Sequence, residues 1–383
     1  MEETAWIFRQ YSVVCRDKLV QHETVFMRKA KRWTACLIFW LAALCARADL
    51  IDDYITTQMA QRHIPGVSLA LVRDGKLLKT KAYGKANLEL GVPVTEETVF
   101  EIGSITKQFT ATLIMMLAEE KKLGLDDKIT AYFTNAPLEW TNVTVRYLLT
   151  HTSGIKNYTG LPGFECSKHL NSAHFVEAIG KHPLEFEPGT KFSYCNSGYN
   201  LLGFIVEKVA GKPYWQLLQD RIFQPAGMKA SQSRDLDTII RNRACGYEKH
   251  GNQIVNREGD LTDVFAAGAI ASTVLDLLKW NYALESGKLL KASSLQQMWS
   301  PYKLKNGQVF TYGFGWKLDD YKGTRCIGHG GATSGFSSSL QKFPDLKLTV
   351  IVLTNSGEEG VAGQIAKGIA EFYIKTPKPV AQN

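Results

Sequence analysis

The stretch Glu101-Ile102-Gly103-Ser104-Ile105-Thr106-Lys107-Gln108-Phe109-Thr110 sets a hydroxyl and an amine three residues apart. On a helix, residues i and i+3 share a face, with Cβ atoms about 5–6 Å apart. A neutral Lys107 there can take the proton of Ser104, or help another group take it, which makes the pair a self-contained nucleophile. The apolar run that follows, through Phe109, Leu113, Ile114, Met116 and Leu117, predicts a helix from near Ser104 to about Lys121. A helix this apolar lies in a core rather than on a surface. Taken alone, Ser-x-x-Lys more often marks an N-cap serine followed by a solvated lysine.

Working outward, residues Ile51 to Arg62 read as a helix. Val67–Val72 and Lys76–Tyr83 read as strands joined by the tight-turn dipeptide Asp74-Gly75. From residue 122 to about 300 the pattern is mainly helical with long loops. One helix runs Asn200–Ala210 and stops at Gly211 with Pro213 beyond. Phe336–Lys342 and Lys347–Leu353 read as strands around Pro344-Asp345, and Val361–Tyr373 as a last helix. Strands at both ends with helices between imply one sheet built from both ends of the chain and a helical lobe from the middle. Ligand sites usually form in the cleft between such lobes.

Two later segments change the reading of Ser104. They are Phe192-Ser193-Tyr194-Cys195-Asn196-Ser197-Gly198 and Gly328-His329-Gly330-Gly331-Ala332-Thr333. In order, Ser-x-x-Lys, Tyr-x-Asn and His-Gly-Gly resemble the three motifs of the serine β-lactamase and penicillin-binding-protein superfamily. The Tyr-x-Asn form is similar to the class C β-lactamase branch, which also holds DD-peptidases, D-aminopeptidases and esterases. Supporting words are Leu148-Leu149-Thr150-His151-Thr152-Ser153-Gly154, Glu187-Pro188-Gly189-Thr190 and Tyr312-Gly313-Phe314-Gly315-Trp316. The resemblance covers about Ile51 to Tyr373. It implies an α/β (α+β) fold of the β-lactamase/transpeptidase type, an antiparallel sheet flanked by helices plus an all-helical lobe.

The resemblance also implies roles. Ser104 is the nucleophile, and Lys107 and Tyr194 are its acid/base partners, with the choice of base between them left open. An ordinary tyrosine titrates near 10, so Tyr194 needs cationic neighbours, Lys107 and His329, to act as a phenolate. Asn196 orients Lys107 and the substrate, or caps the helix that follows it. The N–H groups of Ser104 and Ala332 form the oxyanion hole, while Gly330 and Gly331 let the strand approach the substrate. His329 stands where many β-lactamases carry a lysine. A histidine is charged only part of the time near neutral pH, so its grip on a substrate carboxylate should weaken as pH rises. That departure tells against β-lactam hydrolysis more than against peptidase or esterase chemistry. His151 reads as a packing residue, since the motifs already supply a base.

A net charge of +8 is divided evenly: residues 1–48 carry eight Lys/Arg against four Asp/Glu, and the rest of the chain holds the remaining +4. A +4 spread over a large body gives no case for nucleic-acid binding. Met27-Arg28-Lys29-Ala30-Lys31-Arg32, the apolar run Thr34–Ala46 and Ala46-Arg47-Ala48 have the layout of an export signal, with Met27 as a natural start in place of Met1. The expected division is therefore 1–48 for the upstream extension and leader, and 49–383 for the hydrolase domain, with its helical lobe over about 122–300. Expected localisation is periplasmic or secreted, with an uncleaved N-terminal anchor as the alternative. Cys166, Cys195, Cys245 and Cys326 are widely spaced, which argues for free thiols over a disulfide scaffold or a zinc site. No cofactor or metal is expected. There is no Gly-x-Ser-x-Gly elbow, His-Glu-x-x-His or phosphate loop.

The sequence thus points to a serine hydrolase working through an acyl-enzyme on an amide or ester. A D-Ala-D-Ala peptidase-like activity leads, with carboxylesterase, true β-lactamase and a silent binding or scaffold protein as alternatives. The expected partner is a small-molecule or peptidoglycan-derived substrate, with membrane contact only through the leader or anchor.

Overall fold

The computed structural model describes residues 50–161, 171–251 and 253–374. The leader, Cys15, Cys36, Cys45 and Cys166 lie outside the described residues. By its internal contacts the chain divides after Ile55, into Met1–Ile55 and Thr56–Asn383. Of the first unit only residues 50–55 are described, the start of a helix over 50–62. The second unit carries the sheets and the helices packed on them.

Its frame is a seven-stranded antiparallel sheet drawn from both ends of the sequence. In spatial order the strands are Lys317–Tyr321, Thr324–Thr333, Phe336–Phe343, Leu348–Thr354, Gly66–Arg73, Lys76–Asn87 and Val92–Pro93. The seam between the two ends is the pairing of Gly66–Arg73 with Leu348–Thr354, in the register Val67↔Thr354 to Arg73↔Leu348. These central strands, Gly-Val-Ser-Leu-Ala-Leu-Val-Arg and Leu-Thr-Val-Ile-Val-Leu-Thr, are buried on both faces. That is why they read as near-continuous apolar runs rather than alternating ones. On one face lies the helix Val361–Glu371, whose Val361, Ala362, Ile365, Ala366, Ile369 and Ala370 form a single apolar stripe against the sheet.

The core helix Thr106–Glu119 is buried from Thr106 through Leu117. Phe109 stacks on Trp280 at 4.1 Å between ring centroids and meets Phe223 edge-on. The helix Asn196–Ala210 packs beside it and ends at Gly211, which takes φ 67° and donates to the Glu207 carbonyl. The sequence placed that helix at Asn200; the extra turn begins at Asn196 because the residue before it, Cys195, is still extended.

The lobe expected to be wholly helical also holds strands. Phe100–Glu101, Ile270–Ser272 and Gln232–Ser233 form a small antiparallel sheet, and Tyr247–His250 pairs with Gln253–Asn256. Runs of two to four residues are too short to show a period of two, so hydrophobic patterning could not reveal them. The small sheet matters because Glu101 lies three residues before Ser104. Among the described residues, Cys195, Cys245 and Cys326 are free thiols.

Candidate active site

Ser104 sits in a 3-10 turn, Gly103–Ile105, that leads into the core helix. Gly103 takes φ 49°, and a Cβ there would lie 2.8 Å from the Ala332 nitrogen and 3.0 Å from its carbonyl oxygen. Glycine is therefore required on two counts, backbone conformation and space. Gly331 is equally confined: a Cβ would come within 2.0 Å of the Ile102 oxygen and 2.5 Å of Ser338 Oγ. Ser338 Oγ donates to that same Ile102 oxygen at 2.7 Å. The strand Thr324–Thr333 is thus pressed onto the turn that carries Ser104. This places the main chain of Ala332, an exposed residue, next to that of the Gly103–Ser104 turn.

Lys107 is wholly buried. Its Nζ donates to Asn196 Oδ1 at 2.8 Å and to the Ala267 carbonyl at 2.7 Å, and stands 3.0 Å from Ser104 Oγ. It also lies 4.8 Å from the centroid of the Tyr194 ring and 5.4 Å from that of Tyr199. Burial holds its pKa well below the ordinary amine range, against a smaller opposing effect from Cys195. Asn196 spends its Oδ1 on Lys107 and not on capping, and the helix has no side-chain cap. The main-chain N–H of Asn196 is held by Asn157 Oδ1 at 3.0 Å.

Tyr194 departs from the expected phenolate. Burial drives its pKa up, an effect the neighbouring Ser104 hydroxyl only partly offsets. Its phenol oxygen is buried and makes no hydrogen bond in the resting site. The group is a neutral phenol standing beside the Ser104–Lys107 pair.

His329 also departs from expectation. It is 2% exposed, its Nε2 is 3.0 Å from Tyr312 Oη and its Nδ1 2.6 Å from the Gly330 carbonyl oxygen. A carbonyl only accepts, so Nδ1 carries the proton and Nε2 accepts from Tyr312. Burial, with the charge of Lys107 next in importance, depresses the pKa to about 3. The partly charged imidazole read from sequence is corrected to a neutral one with both nitrogens engaged.

Several contributors went unseen in the sequence. The Ala267 carbonyl is one, since a main-chain acceptor carries no side-chain signature. Its segment is pinned by Asn200, whose Nδ2 donates to the Asp263 carbonyl and whose Oδ1 accepts from the Ala267 nitrogen at 3.2 Å. Thr110 Oγ1 holds the adjoining Ala266 carbonyl at 2.6 Å. A fully buried asparagine inside an apolar helix was the available signal for Asn200. Glu101 is another: its carboxylate takes Arg234 Nε at 2.9 Å and Thr333 Oγ1 at 2.7 Å, tying the end of the Ala332 strand to the approach to Ser104. Burial is the largest influence on Glu101 and raises its pKa, with Thr333 and Arg234 pulling the other way.

Two surface cavities among the described residues lie away from these side chains. One of about 490 Å³ is bordered by Leu295, Trp299, Leu318, Cys326 and Ile327, the other by Glu119, Arg221 and Lys288. Neither brings a nucleophile together with a base. No cluster of three or more metal-ligating side chains occurs among the described residues.

With this geometry in place, a family model described as Beta-lactamase matches residues 51–372. Penicillin-binding protein 4* of Bacillus subtilis (strain 168) is 30% identical over 335 residues, 82% of this chain and 74% of that protein. A D-aminopeptidase of Brucella anthropi is 29% identical over 80% of this chain, which spans only 59% of that relative's length. Among solved structures, the octameric penicillin-binding protein homologue from Pyrococcus abyssi superposes with a TM-score of 0.75 at 30% identity, covering 87% of this chain and 78% of the other. The D-amino acid amidase from Ochrobactrum anthropi SV3, complexed with D-phenylalanine, gives 0.75 at 28% identity, covering 85% and 98%.

Proposed function

We propose that this chain, which belongs to the beta-lactamase family, is a serine amidohydrolase that cleaves amides and short peptides with a D-amino-acid acyl group through an acyl-enzyme on Ser104. The observation that carries the reading is the set of partners around Lys107. A neutral amine has two N–H protons and one lone pair. Asn196 Oδ1 and the Ala267 carbonyl can only accept, so they take both protons. The lone pair then faces Ser104 Oγ at 3.0 Å, the position of a general base. This favours Lys107 over Tyr194 for the first proton transfer.

The steps follow from those positions. Ser104 Oγ bonds to the substrate carbonyl carbon as its proton passes to Lys107 Nζ. The carbonyl π pair moves onto oxygen, held by the N–H groups of Ser104 and Ala332. Collapse expels the amine, which takes the proton from Lys107 by way of the Tyr194 hydroxyl. That hydroxyl, without a partner at rest, is free to bond the leaving nitrogen. Water then attacks the acyl carbon by the reverse proton route and frees the acid and Ser104.

The substrate class rests on His329. A neutral imidazole with both nitrogens engaged offers no cation to a carboxylate beside the scissile bond. This narrows the peptidase reading to leaving groups without an adjacent carboxylate and weakens the β-lactamase reading, since penicillins carry one. The names of two relatives, a D-aminopeptidase and a D-amino acid amidase, support the same class. The neutral His329 equally favours a second reading, a carboxylesterase, because an ester's leaving alkoxide needs less help from a proton donor than an amine does. A silent scaffold is disfavoured by the alignment of Lys107.

The test is turnover of D-alanine amide and p-nitrophenyl acetate, beside intact mass after incubation with a penicillin, with Ser104→Ala as control. Amide turnover lost in Ser104→Ala supports the reading; ester turnover alone supports the second. A lasting penicillin adduct, or hydrolysed drug, would refute the inference drawn from His329. We further propose export, from the leader-like run at Met27–Ala48, with a small-molecule or peptidoglycan-derived substrate and no nucleic-acid partner. Among the described residues no helix is long and apolar enough to cross a membrane. N-terminal sequencing of the mature protein tests cleavage after Ala48.

A further inference from the structure

His151 is buried and holds φ 58°, in the left-handed region that side chains seldom enter. Its main-chain oxygen accepts from the Ser193 nitrogen at 2.9 Å, and its ring Nδ1 accepts from the Cys195 nitrogen at 3.0 Å. Those are the residues on either side of Tyr194. The imidazole also lies on the Tyr194 ring, 4.3 Å between centroids and tilted by 35°. Tyr199 and Tyr312 close around it at 5.0 and 4.7 Å. An amide N–H can only donate, so Nδ1 must present its lone pair and the proton lies on Nε2. Nε2 is buried without a hydrogen-bond partner.

A histidine used for packing alone does not explain this arrangement. The left-handed backbone is what turns the carbonyl toward Ser193 while the ring reaches Cys195. A bulky side chain held at positive φ is a cost that persists where the surroundings fix it for a purpose. Tyr194 itself has no hydrogen bond to locate its phenol oxygen. It must be located by what surrounds its main chain and ring, and His151 touches all three.

We propose that His151 is the positioning residue for Tyr194, a neutral imidazole that grips the main chain on both sides of the tyrosine and packs against its ring. It fixes where the phenol oxygen stands relative to Ser104 and Lys107. It makes no hydrogen bond to either of those residues and takes no proton in the reaction. The inference rests on the reading of Tyr194 as the proton carrier to the leaving group. Burial, with the nearby Lys107 next, holds the His151 pKa far below its ordinary value, in keeping with an imidazole that must stay neutral to keep the Cys195 bond.

The test compares His151→Asn with His151→Gln, by D-alanine p-nitroanilide turnover, fluorophosphonate labelling of Ser104 and thermal melting. Asparagine tolerates left-handed φ and sets its Oδ1 where Nδ1 stood; glutamine carries its oxygen one bond further out. A misplaced catalytic group costs on the order of 100-fold, so the Gln variant should lose about that much kcat with KM little changed, and the Asn variant under about tenfold. In a Tyr194→Phe background the Gln substitution should cost no more than about threefold, because residues that act as a unit are non-additive. Equal activity of the Asn and Gln variants, or the same loss with and without the Tyr194 hydroxyl, would overturn the proposal. Should the Gln variant fail to fold, a 100-fold loss in a normally melting Asn variant overturns it too. Undiminished turnover by Tyr194→Phe alone would instead refute the reading on which the proposal rests.

Discussion

Replacing Lys107 with methionine should separate catalysis from stability. The substitution keeps an unbranched chain of similar length in a fully buried slot and removes the amine. Two acceptors lose their donor, Asn196 Oδ1 and the Ala267 carbonyl, and Ser104 Oγ loses the amine beside it. Ser104 faces the cleft and Asn196 is only part-buried, so water reaches both. The Ala267 carbonyl is the one left stranded, at about 1–3 kcal/mol for an unsatisfied buried group. Against that, the wild-type protein carries the burden of a desolvated amine, visible in its lowered pKa, and the thioether is free of it. The two effects are of similar size and opposite sign, so net stability should move by no more than about 1–2 kcal/mol. Activity should respond differently. A positioned general base supplies about 10²–10⁴-fold, or roughly 2.7–5.5 kcal/mol at 1.36 kcal/mol per tenfold. Lys107 sets a lone pair 3.0 Å from Ser104 Oγ, which places the expected loss near the upper end. The assay is the fluorophosphonate labelling rate of Ser104, which needs no knowledge of the natural substrate, beside a urea melt. A normally folded Lys107→Met protein that labels within tenfold of wild type would refute the assignment of the base.

Tyr194→Phe removes a buried hydroxyl that bonds nothing, so the melting temperature should hold or rise while amide kcat falls about 100-fold, less than for Lys107→Met; the reverse ranking would return the base to Tyr194. Gly331→Ala puts a methyl group 2.0 Å from the Ile102 oxygen, and calorimetry should show a loss of about 1–3 kcal/mol or more. Glu101→Gln removes the buried one of the two carboxylates beside Arg234, leaving the more exposed Glu258 at 3.8 Å, and should cost about 1.5–3 kcal/mol in a denaturant titration; a stability change under about 1 kcal/mol, the ordinary range of a surface pair, would mean that water reaches the pair. His329 has its folded pKa lowered to about 3, so in acid the unfolded chain binds a proton that the folded one refuses. Its contribution is whole above about pH 6.5 and is lost as pH falls toward 3, which should make the acid melt of wild type steeper than that of His329→Gln. Michaelis constants for neutral amides should stay flat from pH 5 to 8.

The centre of the sheet, drawn from both ends of the chain, could be read from the sequence because Gly66–Arg73 and Leu348–Thr354 bury both faces and so are largely apolar. The core helix was legible for the same reason. Ser104, Lys107, Tyr194, Asn196 and His329 were legible as motif residues, and the fold gathers all five around the Lys107 amine and the Tyr194 ring. What the sequence withheld was their state. Whether His329 is a cation depends on Tyr312 and the Gly330 carbonyl, and whether Tyr194 is a phenolate depends on the depth at which it is buried. Neither is a property of a motif. The Ala267 carbonyl and its struts Asn200 and Thr110 lay hidden because main-chain acceptors look alike in every sequence. The Glu101–Arg234 pair spans 133 positions, and no local pattern links its members.

The seam between Gly66–Arg73 and Leu348–Thr354 also governs when the protein can act. A ribosome makes the Ser104–Lys107 turn early and the Ala332 strand more than two hundred residues later. The turn has the Ile270–Ser272 strand but not Gly331 to lean on until the later strand arrives, and the strand before Asp74 has no inner neighbour until Leu348–Thr354 emerges. Pairings this distant in sequence are slow to form, since a long loop must close before any contact rewards it. A growing chain therefore carries Ser104 without the Ala332 strand for most of its synthesis. A truncation ahead of Thr324 should yield a protein with Ser104 present and no Ala332 strand beside it.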